Sequence, residues 1–302
     1  MTGIVSGLEA RLRAGTFVVT AETSPPLGTD ANAVIDRVAP LKGLVDAVNV
    51  TDGAGARAHL SAHVAAHSLL LAGIEPVLQF TTRDRNKLAL ERDLLGAAAI
   101  GAHNLLCLSG DPVTRGDEPE ASEVNDLDSA GLVALARLMR EECRLPSGRE
   151  IAGAPHYFIG VADTPVEPGD DFHPASLLRK LEWGAQFIQT QFCFDVALFA
   201  RYAEALTAHG ITGQAYLMAG IGPLASAKQA AWVRDNLWGS TVPDAVIERL
   251  DRADDPKAEG IAICAELLDA YREMPGVAGV HLMGPGVERR AAEIIAAWRA
   301  AG

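Results

Sequence analysis

Phe17-Val18-Val19-Thr20-Ala21-Glu22-Thr23-Ser24-Pro25-Pro26 runs an apolar stretch straight into a double proline. The apolar residues suit a buried strand, and the prolines stop strand and helix together. The carboxylate left at that stop, Glu22, either caps a helix or stands at the mouth of a pocket. Several later apolar runs also end in an acid or an amide. Strands are expected at 17–21, 47–51, 76–79, 104–108, 157–161, 187–191, 215–218 and 280–283. Ala- and Leu-rich helical stretches fall between them, at 56–72, 88–99, 131–144, 174–184, 196–209, 225–235 and 256–273, and a last one at 287–301 closes the chain.

Eight strand–helix units predict an α/β protein built as a (β/α)8 TIM barrel. The 302 residues form one catalytic domain on this reading, 1–302, with a long loop insertion at about 109–155. The competing architecture is an open doubly wound sheet. Its dinucleotide fingerprint is weak here: Gly53-Ala54-Gly55 and Ala58 spell GxGxxA, but no acid follows about 20 positions on. The long connection carries Gly110, Pro112, Gly116 and Pro119 and reads as a lid or pocket wall.

The formal net charge of −13 argues against nucleic-acid or anionic-membrane partners. The apolar half of the chain is poor in aromatics, so Ala, Val, Leu and Ile must fill the core. Cys107, Cys143, Cys193 and Cys264 form no CxxC pair and read as thiols of a reducing cytoplasm. No stretch has the length of a signal peptide or a membrane span. Ala- and Leu-rich helix faces leave room for a homo-oligomer.

In such barrels ligands sit at the C-terminal ends of the strands. Those ends carry Glu22, Thr51-Asp52, Gln79, Ser109-Gly110-Asp111, Asp163, Gln191 and Gly220. This ring of acids and amides suits a neutral heterocycle offering N–H donors, since a carboxylate accepts two parallel bonds from an aminopyrimidine edge. Helix capping is the simpler role for Asp163 and Asp195. His59, His63 and His67 recur every fourth residue on one expected helical face, where a packed or solvated face outweighs a metal site. Residues 83–87, Arg-Asp-Arg-Asn-Lys, form either a solvated helix start or a contact to an anionic ligand tail.

Taken in order, several segments resemble the methylenetetrahydrofolate reductases of the bacterial, catalytic-domain-only type. They are residues 21–26, 48–54, 106–111, Gly184-Ala185, 190–195, 220–224 and Lys228-Gln229. The resemblance implies a (β/α)8 barrel with FAD, reduced by NAD(P)H, that interconverts 5,10-methylenetetrahydrofolate and 5-methyltetrahydrofolate. It implies a folate substrate and a nicotinamide nucleotide as the small-molecule partners. Glu22 would be the general acid at N10, opening the five-membered ring to a hydride-accepting iminium. Asp111 would stabilise that cation. Thr51, Asp52, Ala54, Gln79, Ser109, Gly110 and Asp111 would line the flavin and nicotinamide, and Arg179 and Lys180 would hold the flavin phosphate. Gln191 and Gln229 would contact the substrate.

The chain departs from the family pattern at Asp52, Gln79, Ser109, His173 and Ser176, and in Gly284-Pro285-Gly286-Val287, where the family has an arginine. Arg289 and Arg290 lie nearby in sequence. The missing arginine would meet the substrate; the other departures leave the flavin contacts unsupported, so FMN, or direct transfer from NADH, stand as alternatives to FAD. Two other readings are a pterin-dependent methyltransferase and a non-catalytic folate-binding partner subunit.

Overall fold

A computed structural model describes residues 3–284 and 286–301. Eight parallel strands close into a barrel in chain order: β1 (Val18–Thr23), β2 (Ala47–Val50), β3 (Pro76–Thr81), β4 (Asn104–Leu108), β5 (Phe158–Asp163), β6 (Phe187–Phe192), β7 (Tyr216–Ile221) and β8 (Val277–Leu282). The β8–β1 pairing, Val18 with Gly279 through Ala21 with Leu282, makes the closure. The expected (β/α)8 barrel is therefore the fold, and each strand lies within a few residues of its expected place.

The helices are α1 (Gly7–Arg13), α2 (Asn32–Val38), α3 (Ala62–Leu71), α4 (Lys87–Ile100), α5 (Ser129–Glu142), α6 (Ala175–Glu182), α7 (Val196–Ala208), α8 (Ala227–Asn236), α9 (Asp244–Arg252), α10 (Pro256–Arg272) and α11 (Val287–Ala301). Sequence chemistry sets their starts. Asn86, Asp128, Asp195, Ser226 and Asp255 each accept a first-turn N–H from α4, α5, α7, α8 and α10. Asp195 thus caps as expected. Asp163 does not: it takes a hydrogen bond from the Tyr202 hydroxyl, which ties α7 to β5. Burial pushes the Asp163 carboxyl up, against the Tyr202 bond and the Lys180 charge.

Two expectations shift at α3. The helix starts at Ala62, because Gly53, Gly55 and Ala56 all adopt positive φ and break the chain before it. His59 therefore lies outside the helix, and only His63 and His67 share it. His63 packs edge-on against Phe80 and meets the Asp93 carbonyl at 3.0 Å. No metal-ligating cluster occurs among the described residues. Nor is any described helix long and apolar enough to cross a membrane.

The barrel interior is layered. Its floor is apolar: Leu8 and Leu12 of α1 plug it from below, against Val18, Ala47, Val77, Leu106, Phe158, Phe187 and Met218. Phe187 fits because Gly160 faces it; a Cβ there would stand 2.1 Å from the ring. Above the floor the filling turns polar, with Thr20, Asn49, Gln189 and His281 all buried. Branched apolar residues usually fill this position. An unpaired polar group buried there would cost about 1–3 kcal/mol.

Candidate active site

The polar layer is bonded internally. Asn49 Nδ2 donates to Gln189 Oε1 at 2.7 Å, and Gln189 Nε2 donates back to Asn49 Oδ1 at 3.2 Å. Gln189 Nε2 also donates to Thr20 Oγ1 at 3.2 Å, and that oxygen lies 2.9 Å from His281 Nδ1. Thr20 and His281 are direct cross-strand partners, as are Glu22 and Asn49.

Glu22 stands one inward-facing position above Thr20, because side chains alternate along a strand. Its side chain keeps 21% exposure, while His281 keeps 3%. Gln79 Nε2 donates to Glu22 Oε2 at 3.1 Å, and His281 Nε2 approaches the same oxygen at 3.9 Å. The carboxylate thus sits, partly exposed, at the top of a buried polar column. Glu22 stands at the end of its strand, with Gln79 and His281 flanking it. His281, Thr20, Asn49 and Gln189 were not among the residues picked out by reading strand ends.

On the other side of the mouth, functional-looking residues bind one another. Asp52 Oδ2 accepts from the Thr81 N–H and hydroxyl, both at 2.9 Å, and Asp52 pairs with Arg85 at 2.5 Å. Burial alone would raise the Asp52 carboxyl. Arg85 and Thr81 outweigh burial and hold it below the usual range. Arg85 also bonds Asp93. Arg83, 5% exposed, donates to the Gly53 and Asp111 carbonyls and pairs with Asp84. Arg83 and Arg85 are therefore internal clasps, not a solvated helix start.

Asp111 is exposed and accepts from the Gly55 N–H at 2.8 Å. Asp117 accepts from Ala58 N–H, and the Asp117 N–H reaches the Ala56 carbonyl. The loop after β4 is stitched in this way to the loop after β2, where Ala54 sits. Gly116 lies so close that a Cβ would be 1.9 Å from the Ala56 carbonyl oxygen. Gly110 turns this loop at φ +94°. Ser109 accepts from the Ser129 N–H at the start of α5. Thr51 is buried and donates to Ser24.

Arg179 and Lys180 point to different partners. Adjacent helix residues point about 100° apart. Arg179 pairs with Asp128 and stacks on Trp183. Lys180 turns inward to the Ala162 carbonyl at 2.9 Å, where burial lowers its pKa against the pull of Asp163. Gln191 accepts from the Phe192 N–H beside it. Gln229 braces the start of α8: its side-chain oxygen accepts from the Ala225 N–H and its own backbone N–H donates to the Ser226 hydroxyl.

A cleft of about 390 Å³ opens at Ala225, lined also by Leu224, Lys257, Arg289, Arg290 and Glu293. In the segment 284–287, Pro285 lies outside the described residues. A second cavity of about 280 Å³ is lined by Arg83, Ser109, Asp111 and Asp128.

The methylenetetrahydrofolate reductase family model matches residues 7–298. Curated relatives include methylenetetrahydrofolate reductase 2 of Saccharomyces cerevisiae, 26% identical over 72% of this chain, and its Schizosaccharomyces pombe namesake, 25% identical over 80%. The chain spans 36% and 38% of their lengths. Among solved structures, an uncharacterized protein from Clostridium thermocellum that binds two copies of 5-methyl-5,6,7,8-tetrahydrofolic acid superposes with a TM-score of 0.66. It covers 98% of this chain and 100% of its own at 12% identity, a likeness of fold. With the family match extending over nearly its whole length, the chain belongs to the methylenetetrahydrofolate reductase family.

Proposed function

We propose that this barrel interconverts 5,10-methylenetetrahydrofolate and 5-methyltetrahydrofolate, with NAD(P)H as hydride source and Glu22 as general acid. The observation that carries this is Glu22 itself: a rim carboxylate on a buried polar column, held through one oxygen by Gln79. In the reductive direction Glu22 gives its proton to N10, the N10–methylene bond breaks, and an iminium forms at N5. Hydride then adds to the methylene carbon, leaving a methyl group and oxidised nicotinamide. The anionic Glu22 left behind favours the cationic side of that step. The cationic cleft at Lys257, Arg289 and Arg290 suits the carboxylates of the folate tail.

The family resemblance favours a flavin, but the residues behind that expectation fit it poorly. Arg179 is paired with Asp128, Lys180 with a backbone carbonyl, and Asp52 with Arg85. We therefore derive no step through flavin, and these engagements favour transfer from the nicotinamide ring to the folate directly.

The test is isotopic. NAD(P)H deuterated at the transferred position is supplied with methylenetetrahydrofolate, and the product is weighed by mass spectrometry. Deuterium retained in the methyl group, with or without added FAD, supports the reading. Dependence on added flavin, with label lost to water, supports the flavin route instead. No 5-methyltetrahydrofolate at all rejects the reductase.

A further inference from the structure

We propose that Asn49, Gln189, Thr20 and His281 form a positioning relay that fixes the His281 proton on Nε2, so that His281 and Gln79 hold Glu22 Oε2 and leave Oε1 to carry the transferred proton. The proposal rests on the reading of Glu22 as the general acid.

Counting hydrogens gives the wiring. Gln189 Nε2 has two protons, and both are used: one on Asn49 Oδ1, one on Thr20 Oγ1. Gln189 Oε1 is satisfied by Asn49 Nδ2. The Thr20 hydroxyl, accepting from Gln189, has its own proton to donate, and the atom 2.9 Å away is His281 Nδ1. Nδ1 is then an acceptor, which leaves the ring proton on Nε2. That N–H faces Glu22 Oε2 at 3.9 Å, an electrostatic contact rather than a hydrogen bond.

The reverse wiring turns both amides over and makes Thr20 donate to Gln189. His281 would then donate through Nδ1 and aim the Nε2 lone pair at Glu22 Oε2: an ionised Glu22 opposes that lone pair, and a protonated one would turn its proton to Oε2 and His281, away from the substrate. The first wiring has no such conflict. Glu22 therefore has two unlike oxygens. Oε2 is anchored by Gln79 and faced by the His281 N–H. Oε1 is the one left for chemistry. None of the four relay residues reaches the rim, so they act through Glu22. Their burial above an apolar floor shields the wiring from water.

The experiment is a long-range ¹H–¹⁵N spectrum of the full chain labelled with ¹⁵N-histidine, with the His281 signal identified by its loss in His281→Gln. A neutral Nε2–H ring in the unaltered protein is expected. Thr20→Val should release the tautomer to a mixture and lower folate turnover about tenfold, and Thr20→Ser should restore both. An Nδ1–H or doubly protonated ring in the unaltered protein overturns the relay, and needs no variant to fold. An unchanged tautomer and turnover in Thr20→Val also overturns it. So does equal loss of turnover in both variants with the tautomer intact, which would mean packing alone. The spectrum needs no substrate. A wild-type protein without reductase activity would therefore reject the general-acid reading, while the tautomer still decides the wiring.

Discussion

The two halves of the barrel mouth use the same residue types in opposite ways. Around β1, β3 and β8, Glu22 stands on a strand end, anchored through one oxygen and open at the rim. Around the loops after β2, β3 and β4, Asp52, Asp111, Arg83 and Arg85 close on each other and on backbone groups. A carboxylate with one oxygen unspent can work on a ligand. One whose lone pairs are filled by an arginine and two threonine donors holds loops together. Charge alone does not separate Asp52 from Glu22; the hydrogen-bond count does.

That contrast can be broken at either half. The largest effect is expected from Glu22→Gln, which keeps the shape and removes the proton. Folate turnover should fall on the order of 100- to 10,000-fold in a steady-state assay, with the thermal midpoint unchanged. On the other half, Arg85→Met should leave Asp52 unpaired beneath the loops. The side chains are 18% and 12% exposed, so a loss of about 2–3 kcal/mol in urea unfolding is expected. A large loss of turnover with full stability would show that this clasp is catalytic and erase the contrast.

Gly160→Ala tests the floor beneath both halves. Its methyl would meet the Phe187 ring, and overpacking should cost about 1–3 kcal/mol in the same unfolding measurement.

Acid titration sharpens the comparison further. Asp52 has its folded pKa below the ordinary 3.8, so its contribution is complete above that value and is lost as pH falls through the lower folded one. Unfolding free energy should therefore drop below pH 3.8 more steeply in the unaltered protein than in Asp52→Asn. The smallest effect belongs to Arg179→Gln. The Arg179–Asp128 pair is half exposed on both sides, so stability should shift by about 0.5 kcal/mol or less, with the KM for NAD(P)H unchanged. A large rise in that KM would make Arg179 a ligand of the nicotinamide nucleotide.

The barrel was legible because apolar runs alternate with amphipathic ones eight times, a rhythm local enough to read. Helices α1, α2 and α9 were not, because each is short, at seven, seven and nine residues, and α9 buries only Leu250. Glu22 was legible because the prolines mark its strand end. The layer below it was not, because strands were read for where they stop. The signal lay in their alternation: Val18-Thr20-Glu22, Ala47-Asn49-Thr51 and Phe187-Gln189-Gln191 each turn from apolar to polar along one inward face. Arg179 and Lys180, adjacent in sequence, diverge on the helix.

The most direct test follows NADH absorbance while the purified chain meets methylenetetrahydrofolate, for the unaltered protein and for Glu22→Gln. The account predicts folate-dependent NADH oxidation in the first and its near abolition in the second, with the fold intact in both. Equal rates in the two proteins would contradict it.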